Sequence, residues 1–137
     1  MEMPALGAVV DIVIEIPRGS RVKRRSGGTV DYASPIALPF DYGCVPDVLA
    51  GDGDPLDVIV IGGPRPAGTR LSLPIRAVIP FVDGGRPDPK LVCSGLPLTE
   101  ADERRVRRFF WWFSRLKWAL NRARGIRGRT GVESGRP

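Results

Sequence analysis

Asp52, Asp54 and Asp57 crowd into the stretch DGDPLD, where Gly53 and Pro55 disfavour a helix or a regular strand. Carboxylates this close resist ionising together. Two readings are open: a solvated acidic turn built from the usual turn residues, or a cation site in which a metal cancels the repulsion. The calcium loop of an EF-hand is excluded. Its sixth position needs glycine and is Asp57, and its twelfth needs glutamate and is Gly63. A second acidic pair, Asp83 and Asp88, follows in VDGGRPDPK with Lys90 just after it. Two acidic loops at strand ends, joined by Lys23 from a hairpin, can converge on one mouth of a barrel. Hard oxygen ligands in that number favour magnesium or manganese. Lysines beside them favour a polyanion held through metal, the logic of phosphoryl transfer.

Other chemistries are closed off. The chain has no histidine, which removes His-based triads, His general bases and histidine-containing zinc sites. Its two cysteines, Cys44 and Cys93, make no disulfide framework and fit a reducing cytoplasm. No apolar run has the length of a membrane span, and no signal-type segment opens the chain. The net charge of +6 is uneven: residues 1–103 carry −4 and residues 104–137 carry +10. A basic end of this kind suits an acidic partner or nucleic acid, or is a solvated helix face.

The elements that must position these residues are short strands and one helix. At 137 residues the chain is one domain with a real core. Val10, Ile12, Ile14 and Ile16 alternate with Asp11, Val13 and Glu15, the period of a strand with one buried face. A hairpin is expected from 21–26 and 29–32 around Gly27-Gly28, with Lys23 opposite Tyr32 and Arg24 opposite Asp31. Further strands are expected at 57–61, 71–81 and 90–94, separated by Gly- and Pro-rich turns. Thr99 is placed as the N-cap of a helix over 99–122, with Glu100, Asp102 and Glu103 in its first turn. Val106, Phe109, Phe110, Phe113, Leu116 and Leu120 form its apolar stripe. Trp111 and Trp118 lie on the other side among arginines, a contact surface. The pattern is mainly β with a flanking helix (α+β), a small barrel or sandwich over 1–122. The basic segment 123–137 lacks apolar periodicity and is expected to be disordered.

IEIPRGSRVK, PFDYGCVPDVLAGDGDPLDVIV, PIRAVIPFVDGGRPDPKLV and the helical Phe109-Phe110 together resemble the soluble family I inorganic pyrophosphatases over residues 9 to 117. The resemblance implies a five-stranded closed barrel of OB type and hydrolysis of inorganic pyrophosphate with Mg2+, or Mn2+. It implies Asp52, Asp57, Asp83 and Asp88 as metal ligands and Asp54 as the acid that takes the proton of the attacking water. It further implies Lys23, Tyr42 and Lys90 at or near phosphate, Glu15 on the cavity floor, and a cytoplasmic homo-oligomer.

The departures are concentrated. The family's Lys-Tyr-Glu reads Lys23-Arg24-Arg25, its Val-Asp-Arg reads Val30-Asp31-Tyr32, and its helical Tyr-Lys pair reads Phe113-Ser114. The lost groups chiefly hold the leaving phosphate, whereas the acidic residues survive. Three readings follow: a pyrophosphatase in which Arg25 replaces the missing arginine, a metal-dependent hydrolase of an organic phosphate or diphosphate, and a non-catalytic nucleic-acid or protein binding module. Retention of the clustered aspartates favours the enzymes, the inorganic substrate first.

Overall fold

Alternation of apolar residues along β1 (Val9–Ile16) buries Val10, Ile12, Ile14 and Ile16 and leaves the intervening residues at or near the surface. This strand seeds a closed barrel with β4 (Asp41–Leu49), β5 (Pro55–Val60), β9 (Lys90–Cys93) and β6 (Arg70–Ile79), in the order β1-β4-β5-β9-β6 and back to β1. Only the β5–β9 contact is parallel; the other barrel pairings are antiparallel. The computed structural model describes residues 3–24, 30–33, 37–51 and 53–133, with the backbone alone for 22–24 and 30–33.

Apart from Asp57 and Lys90, strands β5 and β9 are apolar on both faces, as expected of strands covered on two sides. Leu56, Val58, Val60, Leu91 and Cys93 join Val10, Ile12 and Ile14 in one core cluster. Ile59 and Val92, on the alternate face, join a second cluster with Phe40 and Phe81 against helix α1 (Glu100–Ala123). The helix starts as expected. Thr99 Oγ1 accepts from the Asp102 amide and Asp102 Oδ2 from the Thr99 amide, both at 3.0 Å, a reciprocal capping box. Val106, Phe109 and Phe110 bury its inner face, and Phe113 packs beside them.

The structure departs from the sequence-based expectations at several points. Strand β4 carries Gly43 and Pro46, which mask any alternation, yet it is paired on both sides. A Cβ on Gly43 would overlap the Val13 carbonyl, and Pro46 sits where the β4–β5 register shifts, a position where a missing N–H is tolerated. The strand expected over 71–81 breaks at Pro80, and β7 (Phe81–Asp83) belongs to a separate sheet with β8 (Arg86–Pro87) and β10 (Gly131–Val132). In the upstream hairpin of β2 (Val22–Arg24) and β3 (Val30–Ala33), Lys23 does lie opposite Tyr32. However, a register shift sets Arg24 opposite Val30 rather than Asp31. The Gly27-Gly28 turn lies outside the described residues.

The basic segment differs as well. Far from lacking structure, residues 124–133 fold back on the β7–β8 hairpin. Gly85 N donates to Arg129 O and Glu133 N to Pro80 O, each at 2.8 Å, and Gly131 and Val132 pair with Val82 and Phe81. Main-chain pairing to an open sheet edge needs no apolar side-chain period, so composition did not reveal it. Leu120, expected in the apolar stripe, is 41% exposed, and Asn121 is buried in its place beneath the returning chain.

Candidate active site

Strand register builds the centre of the site. Asp57 on β5 lies directly beside Lys90 on β9, on the helix-facing side that also carries Ile59 and Val92. Lys90 Nζ donates to Asp57 Oδ2 at 2.6 Å and to Asp88 Oδ2 at 2.9 Å. The Phe81 ring covers the ammonium, its centroid 5.6 Å away. Tyr42, on β4 opposite Ile59, lines the same cavity as Asp57.

Electrostatics fix the protonation states. Burial works against the Lys90 charge, but the carboxylates of Asp57 and Asp88 outweigh it and hold the ammonium protonated well above its ordinary range. Burial pushes the Tyr42 phenol strongly upward, Lys90 opposing and the two carboxylates reinforcing it, so this hydroxyl keeps its proton. Asp88 is also raised, by burial first and then by Asp57 and Asp83, with Lys90 opposing.

These groups line a cavity of about 310 Å³ together with Glu15 and Lys117. Phe109, Phe110 and Phe113 of α1 form its apolar wall. Asp83 stands at the start of the β7–β8 turn, where Gly84 and Gly85 both have positive φ (59° and 84°). Its Oδ1 accepts from Asn121 Nδ2 at 2.7 Å, and its Oδ2 lies 3.5 Å from Lys117 Nζ. Thus Glu15, Tyr42, Asp57, Asp88 and Lys90 converge, and Asp83 reaches them through Lys117. Asp54 is exposed just before β5. Asp52 and Arg25 lie outside the described residues, as does the side chain of Lys23.

Lys117, Asn121 and Asp41 were missed from sequence. Lys117 and Asn121 continue the 106–110–113 face at helical spacing, so the apolar stripe has a polar extension that hydrophobic periodicity does not mark. Asp41 is fully buried, accepting from Arg18 N at 2.7 Å and from Arg65 at 2.9 Å. It is a structural anchor, and a Cβ on Gly63 would collide with its carboxylate.

A divalent cation fits this chemistry in kind. Asp57 and Asp88 already aim hard oxygen donors at one positive centre, the Lys90 ammonium. Among the described residues no group of three acidic or thiol side chains is close enough to hold a metal by itself.

A family model for inorganic pyrophosphatase matches residues 12–109. The chain belongs to the inorganic pyrophosphatase family. It is 32% identical over 94 residues to an inorganic pyrophosphatase of Synechocystis and 36% identical over 95 residues to one of Neisseria meningitidis. Those matches cover 62% and 64% of this chain but 55% and 54% of the relatives, so the chain spans about half the length of the curated relatives it matches. Among solved structures, an inorganic pyrophosphatase from Neisseria gonorrhoeae superimposes with a TM-score of 0.71 at 30% identity, covering 93% of this chain and 82% of that one. An inorganic pyrophosphatase from Thermus thermophilus gives 0.69 at 27% identity, covering 93% and 80%. The closed five-stranded barrel with its C-terminal helix is the OB-type fold of the family. Among the described residues no helix is long and apolar enough to cross a membrane.

Proposed function

We propose that this chain hydrolyses inorganic pyrophosphate to two phosphates, using Mg2+ (or Mn2+) held by Asp57 and Asp88 with Asp52 and Asp83. The observation that carries the reading is the convergence of Asp57 and Asp88 on Lys90 inside a cavity shared with Tyr42 and Lys117. When bound, the metal lowers the pKa of the attacking water and neutralises charge on the transferring phosphoryl group. Asp54 accepts a proton from that water as the new P–O bond forms. The bond to the bridging oxygen breaks, and the electron pair leaves with the second phosphate. Lys90 locks the two carboxylates in position and lowers their mutual repulsion. Tyr42, held protonated, keeps a hydroxyl donor in the cavity it shares with Asp57. The phenylalanine wall of α1 excludes bulk water, which strengthens each of these interactions.

A second reading is a hydrolase of an organic diphosphate. It is favoured by Phe113, which lines the cavity as an apolar surface, and by Ser114, which lines a different groove. Phosphate release from a panel of inorganic and organic diphosphates, with and without magnesium, separates the two. Inorganic pyrophosphate is expected to be the best substrate, and Asp57→Asn to lose at least about 100-fold in rate, the scale of a lost electrostatic group at a reacting centre. Equal rates for Asp57→Asn and the parent would rule out a metal role for Asp57. By family analogy, the working form is proposed to be a homo-oligomer.

A further inference from the structure

We propose that Lys117 is the cation on the helix wall that binds a phosphate oxygen of the substrate, exchanging Asp83 for the incoming anion. The inference deepens the pyrophosphate reading and rests on it.

Among the described residues two lysines line the cavity, and they are not equivalent. Lys90 is 3% exposed and already committed to two carboxylates at 2.6 and 2.9 Å. Moving it would leave Asp57 and Asp88 facing each other without a counter-charge. Lys117 is different. Among the described residues its ion pair is with Asp83 at 3.5 Å, and both side chains are about 30% exposed. A loose, solvated pair of this type contributes little to stability, so its ammonium can be recruited at small cost.

Asp83 does not depend on Lys117 to stay in place. Asn121 Nδ2 grips its Oδ1 at 2.7 Å, and the same nitrogen donates to Thr130 Oγ1 at 2.9 Å. Thr130 Oγ1 in turn accepts from Gly84 N at 2.9 Å. The carboxylate is therefore positioned from the helix end and the returning chain, whichever way Lys117 turns. One helical turn before Lys117 the same wall presents Phe113, which offers no hydrogen bond. Ser114 lines a different groove, with Trp111 and Trp118. Within the described cavity lining, Lys117 is the cationic group left for a phosphate on the side away from Asp57.

Binding of imidodiphosphate, the non-hydrolysable P–N–P analogue, tests this by calorimetry in saturating magnesium. Lys117→Gln is expected to weaken it by about 10–100-fold, the loss of a charge-assisted hydrogen bond. Lys117→Arg should stay within a few-fold of the parent, and KM for pyrophosphate should follow the same order. The melting temperature of Lys117→Gln should stay close to that of the parent, because the lost pair is half solvated. Analogue affinity unchanged in Lys117→Gln, with the parent binding and hydrolysing normally, overturns the assignment of Lys117 alone. A parent that neither binds the analogue nor releases phosphate overturns the pyrophosphate reading and this inference with it.

Discussion

Lys90 Nζ and Asp57 Oδ2 stand 2.6 Å apart on register-paired residues of neighbouring parallel strands, with Asp88 Oδ2 closing the triangle 2.9 Å from the same nitrogen. The ammonium occupies the place between two carboxylates that a divalent cation would also seek. Lys90→Gln keeps most of the stem and removes the charge. In metal-free buffer it should lose about 1–3 kcal/mol, less than a fully buried pair because the carboxylates retain some solvent. Magnesium should restore part of that loss in Lys90→Gln and give it a larger stabilisation than the parent receives. Urea unfolding with and without magnesium reads both effects. A variant as stable as the parent without metal would mean the triangle contributes nothing.

Magnesium should stabilise the parent by mass action. One site at 100 times its Kd gives about 2.7 kcal/mol, a rise of several degrees in Tm for a domain of this size. Asp57→Asn should blunt the response, since an amide keeps the shape and loses the charge. A melting curve that does not move across a magnesium titration would count against the metal and for a binding module.

Much of this arrangement was legible before any coordinates. Alternation marked β1, Thr99 and the acids after it marked the start of α1, and the acidic loops pointed to Asp57 and Asp88, which meet at Lys90. What was not legible depends on contacts distant in sequence. Lys90 pairs with Asp57 through strand register, which no local pattern encodes. Strand β4 was hidden because Gly43 and Pro46 suit a close approach and a register shift rather than an alternating face. The ordering of 124–133 rests on main-chain bonds and on Asn121, whose polar side chain reads as solvent-facing until Asp83 and Thr130 are seen beside it.

That last contact is testable. Asn121 is 4% exposed and bridges Asp83 to Thr130. Asn121→Ala should cost about 1–3 kcal/mol, the penalty for leaving buried partners unsatisfied. The loss should be accompanied by faster amide exchange at Gly85 and Glu133, whose amides anchor the returning chain. Unchanged protection there would show that the segment is held by other contacts.

Burial lifts the Cys93 thiol from its ordinary 9.0 to about 11. The folded chain therefore keeps a proton that the unfolded chain releases. The associated stability is fully present below pH 9 and is lost as pH rises from 9 towards 11, up to about 2–3 kcal/mol in all. Cys93→Ala should flatten that part of the unfolding free-energy profile, whatever it does to stability at neutral pH. An identical alkaline slope in the two proteins would exclude the thiol as a contributor.

Phe113 and Ser114 are neighbours in sequence but face different spaces. Phe113 lines the carboxylate cavity beside Lys117, and Ser114 lines the groove of about 990 Å³ that holds Trp111 and Trp118. The family pattern puts tyrosine and lysine at these positions, so restoring each separately distinguishes geometry from motif. Phe113→Tyr adds a hydroxyl to the cavity wall and should lower KM for pyrophosphate by about 3–10-fold, the worth of one neutral hydrogen bond. Ser114→Lys should change KM by less than about two-fold, because its side chain starts in a separate groove beside Gly131 rather than in the carboxylate cavity. If the substrate carries an organic leaving group, Phe113→Tyr should instead impair its turnover while pyrophosphate cleavage rises. A strong gain from Ser114→Lys with none from Phe113→Tyr would mean that the helix turns its other face to the substrate and that Lys117 is not the residue that meets it.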